Sequence, residues 1–109
     1  MVKEIRQYEI YWISLDPTIG SEMAKMRPCV VISPDEMNQF LRTFLIIPVT
    51  STLKNYPWRI NCVVSGRNGS LATDQIKVVD NSRFGVKIGI LNNEEISALK
   101  EVIQKMLVD

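Results

Sequence analysis

The sequence contains no histidine, and this absence excludes several common kinds of active site. Without histidine there is no Ser-His-Asp or Cys-His nucleophile pair, no paired-histidine acid–base site and no histidine-bound zinc. The two cysteines, Cys29 and Cys62, are too few for a four-thiolate metal site. We therefore predict that the protein uses no metal and no cofactor, and that any chemistry depends on other side chains.

Long hydrophobic runs are also missing. Residues 1–7 are charged, and no stretch has the length of a signal peptide or a membrane span. These features predict a cytoplasmic protein, and 109 residues fit a single domain, residues 1–109. Each cysteine lies in an apolar run, so we expect two buried, reduced thiols, although the sequence also permits a disulfide.

Charge is nearly balanced over the whole chain, with a net charge of +1, but it is unevenly distributed. Residues 25–87 hold nine basic and four acidic residues, whereas residues 1–24 and 88–109 each hold two basic and four acidic ones. Charge alone leaves two interpretations open. The basic middle either forms a face that binds a polyanion or consists of ordinary charges that keep loops soluble.

Most of the chain shows short β-strand patterns. Strands are predicted at 8–15, 29–32, 43–49, 58–64, 70–73 and 76–79, with an edge strand at 86–90. Pro48 predicts that strand pairing stops or bulges near the end of the third strand. We expect a turn at residues 66–69, and core packing for Trp58. Short strands followed by one helix predict a mainly β fold, a small curved antiparallel sheet or barrel.

Two helices are predicted from their start signals. Ser33 can cap a brief helix that ends near Phe40, with Pro34 in its first turn and Glu36 completing a capping box. The second helix is amphipathic, because its apolar residues recur every three or four positions from Ile96 to Met106. Asn92 and Glu95 can form its capping box. Its apolar face should dock on the sheet.

Three clusters of polar residues exceed what a bare scaffold needs. The first spans residues 16–28 and places a carboxylate, an ammonium and a guanidinium in one loop, with Arg27 at the start of a strand. The second is residues 48–52, with three hydroxyls at a strand end. The third is Asp74-Gln75, between two short strands.

These clusters fall within an ordered set of motifs over nearly the whole chain, and the set resembles the MazF/PemK (Kid) toxins of bacterial toxin–antitoxin systems. Any one of the motifs is weak, whereas the ordered set is specific. The motifs are Leu15-Asp16-Pro17-Thr18, Gly20-Ser21-Glu22, Arg27-Pro28, Val31-Ile32-Ser33-Pro34, Pro48-Val49-Thr50-Ser51, Tyr56-Pro57 and Asp74-Gln75-Ile76-Lys77.

The resemblance implies an SH3-like curved antiparallel sheet with short helices, assembled as a homodimer. It also implies metal-independent cleavage of single-stranded RNA at short sequences. In the family the 2′-hydroxyl attacks the adjacent phosphate and leaves a 2′,3′-cyclic phosphate and a 5′-hydroxyl. A cognate antitoxin normally blocks the RNA groove.

We expect catalytic roles for three residues, two of which match residues of the family. Arg27 matches the family's catalytic arginine, whose planar fork can hold two phosphate oxygens, and Thr50 matches its phosphate-contacting threonine. Glu22 is either a catalytic carboxylate, which positions Arg27, accepts a proton or contacts a base edge, or an ordinary loop carboxylate. We expect a further set of residues to contact RNA: Lys25, Ser51, Lys54, Tyr56, Asp74, Gln75, Lys77 and Arg83.

Asp74 has a second interpretation. It matches the carboxylate that acts as base in the PemK branch, but that branch also carries an arginine two residues earlier and a histidine in the first loop. Here those positions hold Ala72 and Ile19. Asp74 therefore has either a substrate-positioning or a structural role.

Two alternatives remain for the whole protein. A non-catalytic toxin on the same fold would bind a protein target such as DNA gyrase, but that relative ends in Trp-Gly-Ile and this chain ends in Met106-Leu107-Val108-Asp109. An RNA-binding barrel without chemistry would share the basic middle and would give Arg27 and Thr50 no particular role.

Overall fold

A single antiparallel sheet positions every polar cluster that the structure describes. The structure is a computed structural model, and it describes residues 4–15, 26–51 and 56–108. Within these residues seven strands pair in the order β4-β5-β3-β2-β1-β7, and β6 also pairs with β3. The strands are β1 (Glu9–Ser14), β2 (Met26–Val31), β3 (Thr43–Thr50), β4 (Ile60–Val64), β5 (Arg67–Leu71), β6 (Lys77–Asp80) and β7 (Phe84–Ile90).

β3 organises the sheet because it pairs along both of its edges. One edge pairs with β2, through Cys29 and Pro48 among others. The other edge is shared, since β6 pairs with residues 43–46 and β5 pairs with residues 49–50. Pro48 lies between these two ladders, where its missing N–H removes no bond that the sheet needs. This confirms the prediction that pairing changes at Pro48.

Strand alternation gives the sheet two buried faces, because successive side chains point to opposite sides. The first core contains Ile10, Val30, Ile47 and Val49, and it is covered by the C-terminal helix through Leu99. The second core contains other residues of the same strands, in the opposite phase: Tyr11, Ile13, Cys29, Val31, Phe44, Ile46 and Val79. The curved antiparallel fold and its docked terminal helix are therefore confirmed.

Two α-helices are present in the described residues, α1 (Asp35–Phe40) and α2 (Asn93–Ile103). A 3₁₀ turn covers Asn81–Arg83, and a π-helical turn at Gln104–Val108 follows α2. Asn92 and Glu95 form the predicted capping box of α2. Glu95 also accepts a hydrogen bond from the backbone N–H of Val63 at 3.0 Å, which occupies a donor on the outer edge of β4.

Three local predictions are wrong. Ser33 does not cap α1, because its hydroxyl donates to Asn38 and accepts from the backbone N–H of Leu45. The turn predicted at residues 66–69 is a two-residue turn at Ser65-Gly66, where both residues have positive φ, and residues 67–69 already belong to β5. Trp58 is not a core residue, since 39% of its surface is exposed.

Both cysteines are buried and unpaired, as predicted. Among the described residues, no helix has the length and apolar character needed to cross a membrane.

Candidate functional site

The start of β2 and the end of β3 bring two predicted catalytic residues together. Cys29 pairs with Pro48, and Val30 pairs with Ile47. Arg27 lies two residues before Cys29 and Thr50 lies two residues after Pro48, so both residues are close to the end of this ladder. Both strands leave the buried sheet at this point, so Arg27 is exposed and Thr50 is half-buried. The two strands therefore bring Arg27 and Thr50 to the lining of one pocket.

Lys77 lies on the same face of the sheet. It opens β6, where it pairs with Ile46, and it lies two residues before Val79 of the second core. Arg27 and Thr50 are likewise in phase with second-core residues of their own strands. The three polar residues thus continue the second core past its end, where apolar packing gives way to solvent.

A pocket of about 340 Å³ opens at this end of the second core. We call it the Arg27 pocket. Three cationic side chains line it, and no described carboxylate does, so it carries an excess of positive charge and of N–H donors. Its lining residues are Leu15, Arg27, Pro48, Val49, Thr50, Arg59, Ala72, Gln75 and Lys77.

The turn between β5 and β6 forms one wall of the Arg27 pocket, and backbone bonds hold it in place. The N–H of Ala72 donates to the carbonyl of Pro48 at 2.9 Å, and the N–H of Gln75 donates to the carbonyl of Ala72 at 2.8 Å. The hydroxyl of Thr73, fully buried, donates to the carbonyl of Trp58. This turn therefore fixes Gln75 in the pocket wall.

Asp74, in the same turn, forms an ion pair with Arg59 instead of lining the pocket. The Nε and Nη2 groups of Arg59 donate to the two carboxylate oxygens of Asp74 at 3.1 and 3.3 Å. The hydrogen bond from Arg59 holds the pKa of Asp74 below its usual range. Asp74 is therefore a weak proton acceptor, which favours its structural or positioning role.

Tyr56 and Trp58 stack on each other beside this pair. Their ring centroids lie 4.7 Å apart with an angle of 11° between the planes. The guanidinium carbon of Arg59 lies 5.6 Å from the centroid of the Tyr56 ring, within cation–π range. One face of Tyr56 is therefore covered by Trp58, and the aromatic pair supports Arg59.

Cys29 pairs with Pro48, which lines the pocket, but Cys29 is not a nucleophile. Burial raises the pKa of its thiol to about 12, although the charges of Lys77 and Arg27 oppose this. A thiol with this pKa stays protonated at neutral pH, and the thiolate is the reactive form. The chemistry of the pocket therefore depends on its nitrogen and hydroxyl groups.

A second, larger pocket of about 810 Å³ adjoins the first. We call it the Trp12 pocket. It shares Arg27 and Thr50 with the Arg27 pocket and adds Ser51, together with exposed apolar side chains including Trp12 and Met26. Gly69 lies at its border, where a Cβ atom would come within 2.9 Å of Val49, so only glycine permits this approach of β5 to β3.

The other predicted residues are placed differently. Arg83 lies outside both pockets, and its Nη1 group donates to the carbonyl of Ser14 at 3.3 Å. Glu22, Lys25 and Lys54 lie outside the described residues. Across residues 4–15, 26–51 and 56–108, no three Cys, Asp or Glu side chains cluster as metal ligands would.

Sequence reasoning missed Arg59, which had counted only as one of the nine basic residues of the middle segment. The predicted strand at 58–64 includes Arg59 without giving it a role. In the structure β4 begins at Ile60, and the Arg59 side chain is only 10% exposed. Its partner Asp74 is 15 positions away, a separation that no local pattern reveals.

Ser70 is a second residue without a sequence signal. It is fully buried on β5, pairs with Thr50 across the strands, and its hydroxyl has no hydrogen-bond partner among the described residues.

The Arg27 pocket is suited to a phosphate group. A guanidinium can hold two phosphate oxygens with parallel hydrogen bonds, and a neighbouring hydroxyl can donate a third hydrogen bond to the phosphate. The positive charge of a guanidinium is delocalised over its plane, so Arg27 can stabilise negative charge on a phosphate but is a poor proton donor.

Comparison with known proteins places the chain in a family. The family model described as "PemK-like, MazF-like toxin of type II toxin-antitoxin system" matches residues 6–107. The chain is 35% identical over 102 residues to the endoribonuclease toxin MazF of Escherichia coli K12, covering 91% of this chain and 90% of that protein. It is 30% identical over 112 residues to the endoribonuclease MazF9 of Mycobacterium tuberculosis, covering 92% and 93%.

Solved structures agree on the fold. MazF of Deinococcus radiodurans superimposes with a TM-score of 0.82 at 22% identity and covers 99% of this chain and all of its own. The chain in a MazE–MazF structure from the same organism gives 0.83 at 22% identity, with 98% of each chain covered. With a family match over nearly its whole length, this chain belongs to the PemK-like, MazF-like toxins of type II toxin–antitoxin systems.

Proposed function

We propose that the protein is an endoribonuclease toxin that cleaves single-stranded RNA at a short sequence without a metal ion. The 2′-hydroxyl attacks the adjacent phosphate, which gives a 2′,3′-cyclic phosphate and a 5′-hydroxyl. The observation that carries this proposal is the Arg27 pocket, where Arg27 and Thr50 meet at adjacent strand ends. The naming of the curated relatives as endoribonucleases supports the same activity.

Arg27 and Thr50 supply charge stabilisation in this mechanism. Negative charge builds on the phosphate as the 2′-oxygen attacks, and preorganised donors act most strongly where charge develops. The Arg27 fork binds two non-bridging oxygens, and the Thr50 hydroxyl donates to one of them and aligns the phosphate. Lys77 and Gln75 line the same pocket and hold the RNA backbone there.

Proton transfer must occur without histidine. The reaction removes a proton from the 2′-hydroxyl and delivers one to the leaving 5′-oxygen. Asp74 is unsuited to the first role, because Arg59 holds its pKa low and occupies both its oxygens. Glu22, a water molecule or the RNA itself is left to carry the protons.

The protein's partners follow from the same proposal. We expect a homodimer in the cytoplasm, in which a second copy covers apolar surface such as Trp12 and Met26, and a cognate antitoxin that blocks the RNA site. The Deinococcus structure of a MazE–MazF pair supports the antitoxin as partner. A size measurement of the purified protein by light scattering tests the dimer.

End-mapping on a long RNA tests the activity. Purified protein is incubated with the RNA in EDTA, and both ends of each product are identified chemically. We expect defined cleavage sites with cyclic phosphate and 5′-hydroxyl ends. A matched oligonucleotide with a single 2′-deoxy sugar before the scissile phosphate should resist cleavage. Intact RNA across a diverse set, or inhibition of DNA gyrase without RNA cleavage, would overturn the proposal.

A further inference from the structure

Arg59 differs from the other two cations of the Arg27 pocket in how firmly it is held. Its side chain is only 10% exposed, while Arg27 and Lys77 are exposed residues. Asp74 holds one edge of its fork through two hydrogen bonds, and Tyr56 lies against the guanidinium. The orientation of Arg59 is therefore fixed before any ligand arrives.

This arrangement leaves donors of Arg59 for a ligand. A guanidinium carries five N–H donors, and Asp74 takes one from Nε and one from Nη2. None of the described residues is recorded as accepting from Nη1. Because the pocket that Arg59 lines holds three cations and no described carboxylate, an anion is the ligand that its remaining donors favour.

The pocket is also larger than one phosphate requires. At about 30 Å³ for each water molecule, its volume of about 340 Å³ equals that of roughly eleven waters. A phosphate held by Arg27 and Thr50 therefore leaves room beside it. The RNA backbone itself supplies the next anion, the phosphate of the neighbouring nucleotide.

We propose that Arg59 binds a phosphate next to the scissile one, and that Asp74 is a positioning residue that orients the Arg59 fork. This inference rests on the proposed cleavage of RNA and extends it by naming a second phosphate contact. The Arg27 pocket thus holds two successive phosphates of the substrate. The alternative is that Arg59 and Asp74 only hold the turn between β5 and β6.

The test removes one charge from each partner in turn. A short RNA with the mapped cleavage site carries a neutral methylphosphonate linkage either immediately 5′ or immediately 3′ of the scissile phosphate. The nucleotide on the 5′ side of that linkage is 2′-deoxy for chemical stability, so the 2′-hydroxyl that attacks the scissile phosphate is kept in both RNAs. For each position, a reference RNA has the same deoxy sugar with an ordinary phosphate. Wild type and Arg59→Gln are measured on all of these RNAs.

We expect Arg59→Gln to raise KM about tenfold or more on the reference RNA, since one charge-assisted hydrogen bond is lost, and to change kcat much less. At one of the two positions the neutral linkage should raise the KM of wild type by a similar factor and leave the KM of Arg59→Gln unchanged. If Arg59 has a purely structural role, the increase in KM from the neutral linkage and the increase from Arg59→Gln should multiply at both positions. This result would overturn the inference.

Three further variants serve as controls. Arg42→Gln breaks the other Arg–Asp pair, Arg42 with Asp80 at 3.9 Å, away from both pockets, and should cleave like wild type. Asp74→Asn should raise KM by less than Arg59→Gln does and keep the position-specific effect. If Arg59→Gln fails to fold, Arg59→Lys, which keeps the charge but loses the fork, replaces it and should respond less to the neutral linkage than wild type.

The failure of this inference is distinguishable from that of the proposed function. If wild type cleaves no RNA, the proposed function fails and this inference fails with it. If wild type cleaves RNA and the losses multiply, only the role of Arg59 is overturned.

Discussion

Two charged sites of this small sheet use their charges in opposite ways. At Glu9, on β1, a carboxylate only 7% exposed is surrounded by donors: Lys87 at 2.6 Å, the backbone N–H of Arg6 at 2.8 Å and the hydroxyl of Tyr11 at 2.9 Å. In the Arg27 pocket three cations meet without a lining carboxylate among the described residues. The first site is complete within the described residues, whereas in the second Arg59 alone has a described carboxylate partner, Asp74, which lies outside the pocket lining.

This difference separates stability from function. Burying a charge is costly unless hydrogen bonds and a counter-charge compensate it, so the donors around Glu9 belong to the fold. Exposed cations cost the fold little and leave an attractive potential for a polyanion. We therefore expect changes at Glu9 to affect stability alone and changes at Arg27 to affect RNA cleavage alone.

The largest expected effect is at Arg27. We expect Arg27→Ala to lower kcat for RNA cleavage about 100-fold to 1000-fold, because it removes the principal donor to the developing phosphate charge. Arg27 is exposed, so the free energy of unfolding should change by less than about 0.5 kcal/mol. Single-turnover cleavage and urea unfolding measure the two quantities. Arg42→Ala is the matched control, and equal losses in the two variants would contradict the role of Arg27.

The next effect is at Glu9 and has the opposite character. We expect Glu9→Leu to lower the free energy of unfolding by about 2 kcal/mol, because Lys87 and Tyr11 lose their shared acceptor. For a domain of this size the corresponding fall in Tm is roughly 10 °C. Glu4→Gln, which removes the exposed partner of Arg6, should leave Tm unchanged. Cleavage well below Tm should match wild type in both variants.

The same carboxylate predicts a dependence on pH. Burial raises the pKa of Glu9, but the bonds from Lys87, Arg6 and Tyr11 outweigh it, so the folded pKa lies below its usual value. Its contribution to stability is therefore full above the ordinary glutamate pKa and is lost as the pH falls through the lowered one. The free energy of unfolding of wild type, measured with urea, should fall from pH 6 toward pH 3. That of Glu9→Gln should fall less over the same range. Parallel profiles would contradict this linkage.

The two charged sites also differ in how far the sequence predicts them. The sequence predicts Arg27, Thr50, Gln75 and Lys77 as site residues, and the structure brings them into one pocket. Three of them lie at or near a strand end, and Gln75 lies in the turn between β5 and β6. The apolar run at 43–49 predicts β3 to within one residue of its end, whereas the run at 29–32 misses the first three residues of β2. The side-chain cap of α2 follows from Asn92 and Glu95. Patterns that repeat along the chain are set by local geometry, which a single sequence contains.

The interactions that escaped prediction join distant segments. Arg59 meets Asp74 only because the turn after β5 is bonded to Pro48 and Trp58. Trp58 lies outside the core because β4 begins at Ile60, two residues after the start of the strand predicted at 58–64. Ser33 bonds Asn38 and Leu45 instead of capping α1. The bond to Leu45 depends on the position of β3 in the fold. Such choices follow from tertiary contacts and not from local propensity.

A smaller effect tests the pocket's electrostatic character. Lys77 lies at the pocket wall as a point charge without the fork of arginine. We expect Lys77→Gln to weaken RNA binding modestly and to reduce the slope of log K against log salt by about 0.7, the value for one phosphate contact on a single strand. Binding is measured on the uncleavable 2′-deoxy oligonucleotide at several salt concentrations. An unchanged slope would remove Lys77 from the RNA contacts.

The smallest effect concerns Ser70, which lies between the two kinds of site. Its hydroxyl is buried opposite Thr50 without a partner among the described residues, so it costs the fold some desolvation energy. We expect Ser70→Ala to raise the free energy of unfolding by about 0.5–1 kcal/mol, since it removes a buried hydroxyl without a hydrogen-bond partner among the described residues and keeps the β-carbon in place. Cleavage should stay at the wild-type rate if Thr50 acts on RNA without help from β5. A fall in kcat together with higher stability would instead show that the Ser70 hydroxyl supports the function of Thr50 at a cost in stability.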